Sequence, residues 1–312
     1  MQNDPASRSL SGLYALAFTY LGALGFAAIL SPWIYNSIQD WHTQSPNRLT
    51  EEIADNGFDD YFDRVRWLWV LICLPWLIKR LQLKGWAANG FAWKREDYKA
   101  AGAYFLSGMA ILLAVAAIRL ITAEFTIEEN LSDELFEILM KALLGALLVS
   151  FLEEYVFRSL IWKAFAMWRP LLGGIVFASI FFSYTHYKMP DELWNAYEGP
   201  VGLQAGLYVA WGTMIGVFYD ASLLDFINLF LLGVWLSMLR TRTNNLARSM
   251  GLHAGIVFAL LTYVDMLDVV NTPFRIVFGG PGLRDGIVTF LIFSAGIFIE
   301  RRKLRYIASS HS

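Results

Sequence analysis

The sequence predicts an all-α fold: a polytopic membrane helical bundle of about eight transmembrane helices plus one re-entrant or interfacial helix. Three observations lead there. Of 312 residues, 56% are hydrophobic and only 17% charged, with a mean hydropathy of +0.45, too apolar for a water-soluble chain of this length. Aromatic residues make up 16%, and they include 12 Trp and 14 Tyr, rings favoured where helix ends meet the membrane interface. Apolar runs of about 20 residues, the length that crosses a bilayer, recur along the whole chain. The net charge of −2 carries no basic stripe, so the expected surroundings are the lipid bilayer and no nucleic acid.

Taken in order, the first run, 13–35, is too long for a signal-peptide core and has only Arg8 before it as a basic flank, so it reads as a retained span. Further runs lie at 66–82, 101–121, 135–157, 171–186, 222–239, 249–267 and 286–300. The segment after the first run is acidic (Asp40, Glu51, Glu52, Asp55, Asp59, Asp60), and the loop after the second is basic (Lys79, Arg80, Lys84, Lys94, Arg95, Lys99). Positive-inside counting then places the N-terminus in the cytoplasm, the acidic loop Glu124 to Glu134 outside, and Lys163 and Arg169 inside.

Segment 201–219 decides the rest. If it crosses, Arg240, Arg242, Arg248, Arg301, Arg302, Lys303 and Arg305 all fall outside; if it does not, they fall inside. The second reading is adopted, with 201–219 re-entrant or lying in the interface and both termini cytoplasmic. Its pairs Gly202/Gly206 and Gly212/Gly216 have the spacing that lets helices approach closely, which suits a helix lining the protein's own bundle. No repeat or linker divides the chain, so 1–312 reads as a single integral membrane domain. The turn Gly279-Gly280-Pro281-Gly282 lacks a following Gly-Lys-Ser/Thr and is no phosphate loop, and a lone Cys73 builds neither a disulfide nor a Cys-based zinc site.

Ionisable side chains at bilayer depth are costly, so each is examined as a functional candidate. The fourth run ends in Phe151-Leu152-Glu153-Glu154-Tyr155-Val156-Phe157-Arg158. Glu154 and Arg158 share a helical face and read as a structural ion pair; Glu153, about 100° round the helix, is left as a carboxylate suited to general acid/base work. The plainer alternative puts both glutamates at the inner headgroups. Arg169-Pro170 marks a hairpin, and Glu153 stands sixteen residues before Arg169 as His186 stands sixteen after Pro170, so each lies about 24 Å from the turn. Phe182 precedes His186 by four and is placed to pack on its imidazole. His253, in Gly251-Leu252-His253-Ala254-Gly255, is the third element; a hydrogen-bonded core histidine is its alternative reading. His42 and His311 lie in polar segments. Lys141 and Asp225 are near span ends and are expected to snorkel, and Asn228 is a candidate supporting donor.

In this order the motifs resemble those of the CPBP family of intramembrane proteases, which includes CAAX prenyl proteases and bacteriocin-processing proteins. The Glu-Glu-x-x-x-Arg motif matches Glu153, Glu154 and Arg158, the Phe-x-x-x-His motif Phe182 and His186, and the last His motif His253. The likeness covers roughly Leu143 to Leu261, within a protease core of about 135–267. It departs at Val257, where the family often has Asn or Asp. The resemblance implies hydrolysis of a peptide bond in a membrane-embedded or lipidated peptide or protein. Glu153 and His186 would activate a water, His253 would donate to the oxyanion, and Glu154 and Arg158 would support. No cofactor is expected; a Zn²⁺ ion held by Glu153, His186 and His253 is the less favoured alternative, since His-Glu-x-x-His is absent. A catalytically silent scaffold or immunity protein of the same fold is the alternative outside enzymology, and a proton-coupled transporter a third. The charge pattern fits a multi-pass protein of a bacterial inner (plasma) membrane.

Overall fold

The computed structural model describes residues 5–121, 125–127, 131–219, 222–269, 274–280 and 284–310. Glu124, Glu128 and Glu129 of the acidic loop, Pro281 and Gly282 of the glycine turn, and His311 lie outside the described residues. The helices are α1 (Pro5–Gln44), α2 (Arg48–Ala54), α3 (Phe58–Arg80), α4 (Gly85–Ala88), α5 (Arg95–Ile121), α6 (Leu131–Glu153), α7 (Trp162–Trp168), α8 (Pro170–Leu172), α9 (Ala178–Tyr184), α10 (Asp191–Asn195), α11 (Leu203–Ile215), α12 (Leu223–Thr243), α13 (Ala247–Met266), α14 (Arg275–Phe278) and α15 (Ile287–Ser310). Two π-helical segments interrupt this pattern, Glu154–Ile161 between α6 and α7 and Gly173–Phe177 between α8 and α9. One antiparallel pair of three-residue strands, β1 (Phe125–Ile127) and β2 (Leu267–Val269), places Phe125 opposite Val269. The described residues are otherwise all-α.

Among the described residues five helical stretches are long and apolar enough to cross a membrane: Leu10–Gln44, Arg95–Ile121, Leu135–Trp168, Leu223–Thr243 and Ala247–Met266. They coincide with the runs at 13–35, 101–121, 135–157, 222–239 and 249–267. The runs at 66–82 and 286–300 fall in α3 and α15, whereas 171–186 and 201–219 become the shorter apolar helices Pro170–Tyr184 and Leu203–Phe218. This is an integral, multi-pass membrane protein.

Contacts group the chain into two compact units, Met1–Gln82 with Tyr184–Ala221, and Leu83–Ser183 with Ser222–Ser312. In the first, α1 packs on α3 and α11 around Leu24, Ala27, Phe58, Phe62, Ala205 and Val209. Pro32 inside α1 has no N–H, so the Ala28 carbonyl one turn earlier loses its helical donor. Gly206 of α11 sits against that carbonyl, where any Cβ would collide with it. The close approach expected of the Gly202/Gly206 pair is therefore made by Gly206 alone; nothing lies within 4 Å of a Cβ at Gly202.

In the second unit, α13 packs along α5 and α6, and α12 along α15. A Cβ on Gly251 or Gly255 would strike the carbonyls of Ala101 or Phe105 in α5, so these glycines set how closely the two helices lie. His253, two residues from each, is turned about 200° round the helix. The packing that holds α13 on α5 thus aims His253 at the opposite side, toward the π segment.

Candidate functional site

Leu135–Trp168 continues well past the glutamates before Arg169 ends it in an extended conformation (φ −139°, ψ 99°) and Pro170 starts the return helix. The hairpin expected at Arg169-Pro170 is present. Phe157, twelve residues before Arg169, meets Phe182, twelve after Pro170, edge to face with centroids 5.0 Å apart, so the two arms are level at that depth. Glycines let the arms approach: a Cβ on Gly173 would collide with the Phe165 carbonyl, and one on Gly174 would come within 2.7 Å of the Trp162 indole.

Glu153 ends α6 and Glu154 opens the π segment, a wider turn found mostly at functional sites. Glu154 is fully buried, and its Oε1 faces Arg158 Nη1 at 3.2 Å, the ion pair expected from their spacing. The same oxygen accepts a hydrogen bond from His253 Nδ1 at 3.0 Å. Because an ionised carboxylate only accepts, this contact assigns the proton to Nδ1 and leaves Nε2 as the ring atom turned to Glu153, 3.9 Å from its Oε2. The imidazole therefore stands between two adjacent carboxylates that point in different directions from one helix. Of the two, Glu153 is the accessible one, its side chain 19% exposed against 0% for Glu154.

Arg158 is buried and lies with its guanidinium 4.1 Å over the Phe182 ring, a desolvated cation–π contact worth about 2 kcal/mol. Phe182 also meets His253 edge-on at 6.3 Å. The Phe of the Phe-x-x-x-His motif thus underlies both the arginine and the last histidine. Ser249, one turn before His253 and fully buried, lies beside the Glu154 carboxylate and donates to the Leu246 carbonyl at 3.1 Å. Sequence reasoning passed over Ser249, although its i, i+4 relation to His253 is a usable signal.

A strap also ties the two site-bearing helices. Tyr155 donates to Asn89 Oδ1 at 3.1 Å, Asn89 Nδ2 is anchored on the Leu83 and Gly85 carbonyls, and Gly90 O accepts from Leu246 N at 2.9 Å just before α13. Gly90 has φ 85° and faces the Leu246 side chain, which accounts for glycine there.

The other candidates are placed as follows. His186 is half-buried in the turn just beyond α9, whose last residue is Tyr184, and belongs to the first unit. Asn228 is buried in α12 with Nδ2 donating to the Arg284 and Gly286 carbonyls, so its amide ties α12 to the start of α15. Asp225, expected to snorkel, is instead buried and faces Arg284 at 3.5 Å, because it sits in the capped first turn of α12, where Ser222 accepts from its N–H. Lys141 is exposed and paired with Glu137 at 2.6 Å. Val257 is half-buried one turn after His253. Among the described residues no three His, Cys, Asp or Glu side chains are grouped as a metal ion would require. An apolar groove of about 670 Å³ between α5, α6 and α13, lined by Phe105, Leu147, Ser150 and Gly251 among others, includes none of Glu153, Glu154 and His253.

Residues 135–259 match the family model described as type II CAAX prenyl endopeptidase Rce1-like. The match agrees with the CPBP/CAAX resemblance of the motifs and covers less than half of the chain. The matched segment contains Glu153, Glu154, Arg158, Phe182, His186 and His253, all the positions on which the resemblance rests. Neither a curated protein nor a solved structure matches the chain. The family is one of proteases acting on membrane-associated proteins, which supports a peptidase.

Proposed function

We propose that the protein is an intramembrane endopeptidase that hydrolyses a peptide bond of a membrane-associated protein or peptide with a water activated by Glu153. The observation that carries this reading is the buried cluster in which His253 bridges an accessible Glu153 and an inaccessible, arginine-paired Glu154. Glu153 takes a proton from water as the oxygen attacks the scissile carbonyl carbon, then delivers that proton to the departing amine nitrogen when the carbon–nitrogen bond breaks. His186 is carried over from the resemblance as a further candidate residue. His253, carrying a proton on each ring nitrogen before the attack, stabilises the oxyanion by donating from Nε2, while the Glu154 carboxylate on Nδ1 orients the ring and offsets its charge; the ring neither gains nor loses a proton in the step. Arg158 in turn holds Glu154, and Phe182 supports Arg158.

The protein acts in a bacterial inner membrane with both termini cytoplasmic, as the loop charges imply. The test is mass-spectrometric profiling of new peptide termini in membranes of cells making the wild type or Glu153→Gln at matched folded levels. Fragments that appear only with the wild type support the reading, and identical profiles sink it in favour of a silent scaffold. Metal analysis of the purified protein addresses the catalytic type. Stoichiometric zinc that Glu153→Gln removes would overturn the metal-free version.

A further inference from the structure

The end of α12 carries Arg240 and Arg242, and Arg248 follows in α13. Two of the three have carboxylate partners: Arg242 Nε lies 2.6 Å from Glu300 Oε2, and Arg248 Nη1 3.5 Å from Asp97 Oδ1. Arg240 is the most buried of them, 4% exposed, and among the described residues no carboxylate faces it. What it has is the Trp162 ring, 5.2 Å from its guanidinium carbon, and Asn244 Oδ1, which accepts from Nη1 at 2.9 Å. Its Nε is buried with no hydrogen-bond partner, and the indole Nε1 of the same Trp162 is a second buried donor without an acceptor. A guanidinium withdrawn from water without a counter-charge is strongly unfavourable, so a site of this kind is completed by an anion.

The donors that remain define the anion. Asn244 occupies Nη1, which leaves the edge formed by Nε and Nη2, a planar fork matched to two oxygens of one oxyanion. The guanidinium carbon lies over the Trp162 ring, so the fork edge is the side left to a ligand. Arg240 is three residues from the end of a membrane-crossing helix, and a tryptophan beside it is characteristic of the headgroup level. We propose that Arg240 is a lipid-binding residue whose Nε/Nη2 fork holds the headgroup phosphate of a bound phospholipid. The site is independent of the proteolytic reading, since none of Glu153, Glu154 and His253 takes part in it.

The test uses the full chain purified in detergent, as the wild type, Arg240→Gln, Arg240→Lys and the exposed control Arg301→Gln. Native mass spectrometry after delipidation counts retained phospholipid, and the thermal midpoint is followed as phosphatidylglycerol is added in mixed micelles. The wild type and Arg301→Gln are expected to retain a single phospholipid and to gain midpoint with added lipid. Arg240→Gln is expected to lose the adduct and to need about tenfold more lipid for the same gain. Arg240→Lys, which keeps the charge without the fork, is expected to fall between them and serves the same purpose if Arg240→Gln does not fold. Equal retention by the wild type and the Arg240 variants would overturn the proposal. A midpoint gain produced as well by millimolar inorganic phosphate, or by a short peptide with a free carboxylate, would overturn the lipid as the ligand.

Discussion

Two glutamates of the second unit are buried to nearly the same degree and are equipped very differently. Glu300 in α15 has contacts on both oxygens: Tyr104 and Lys303 donate to Oε1 at 3.2 and 3.0 Å, and Arg242 Nε is ion-paired with Oε2 at 2.6 Å. Glu154 receives His253 and Arg158 on the same oxygen, Oε1, with the Ser249 hydroxyl beside the carboxylate, while its Oε2 is buried without a hydrogen bond. A carboxylate whose charge is matched on both oxygens and attached to three helices is a clamp. One served from a single side, next to a second and accessible carboxylate, holds a histidine in place. Burial alone does not separate the two; the distribution of the cations over the two oxygens does.

The largest effect expected from this contrast is on Glu153, which the Glu154–His253 contact positions but does not neutralise. Glu153→Gln should lower the cleavage rate by about 10³-fold, or about 4 kcal/mol of activation free energy, while the thermal midpoint stays near the wild-type value. Rates of terminus formation with a purified membrane substrate check the first part. A variant that cleaves within tenfold of the wild type would remove Glu153 from the chemistry.

Arg158→Ala should show the largest stability effect. It leaves the Glu154 charge buried against a neutral neighbourhood and withdraws the cation from Phe182, a loss of about 3–5 kcal/mol in reversible unfolding in micelles. A loss under about 1 kcal/mol would mean that Glu154 finds another donor. Glu300→Gln is the matching experiment on the clamp: about 1–3 kcal/mol of stability lost with cleavage unchanged, since Tyr104, Arg242 and Lys303 remain able to donate to the amide oxygen. Reduced cleavage at full occupancy of the folded state would join the two glutamates into one functional network and end the contrast.

Much of the site was legible in the sequence because its spacings are local. Glu154 to Arg158 is one helical turn, and Pro170 disfavours a helical conformation at Arg169 before it, so the pairing and the hairpin followed from chain geometry. The long apolar runs gave the helices for the same reason. His253 on Glu154 was not legible: ninety-nine residues separate them, and no periodicity within α13 says which ring nitrogen meets which carboxylate. Gly251 and Gly255 contained half of that answer, since the face that must reach α5 fixes the face left for His253. The π-helical widening at Glu154–Ile161 has no residue signature comparable to a proline or a cap. Arg240 was counted as one more basic residue at a helix end, and only its lack of a carboxylate beside the paired Arg242 and Arg248 distinguishes it.

The smallest expected effect lies at Val257, where the chain departs from the motif it resembles. The residue is one turn after His253 on the same face of α13, half-buried, and contributes no polar atom. If His253 Nε2 meets the developing oxyanion, a side chain four residues further along faces the same oxygen, and an amide there adds a second donor. A preorganised donor of that kind is worth 10²–10³ in rate, roughly, where the site is built around it; here no partner fixes the amide, so Val257→Asn is expected to raise kcat by about tenfold and to cost about 1 kcal/mol of stability from lost apolar packing. The comparison with Val257→Ala separates the donor from the space it fills, because alanine makes the same room and supplies no N–H. A gain shared by both variants would mean that valine had been obstructing the substrate, and no gain from asparagine would place the oxyanion on a different side of His253 from the one its Nε2 faces.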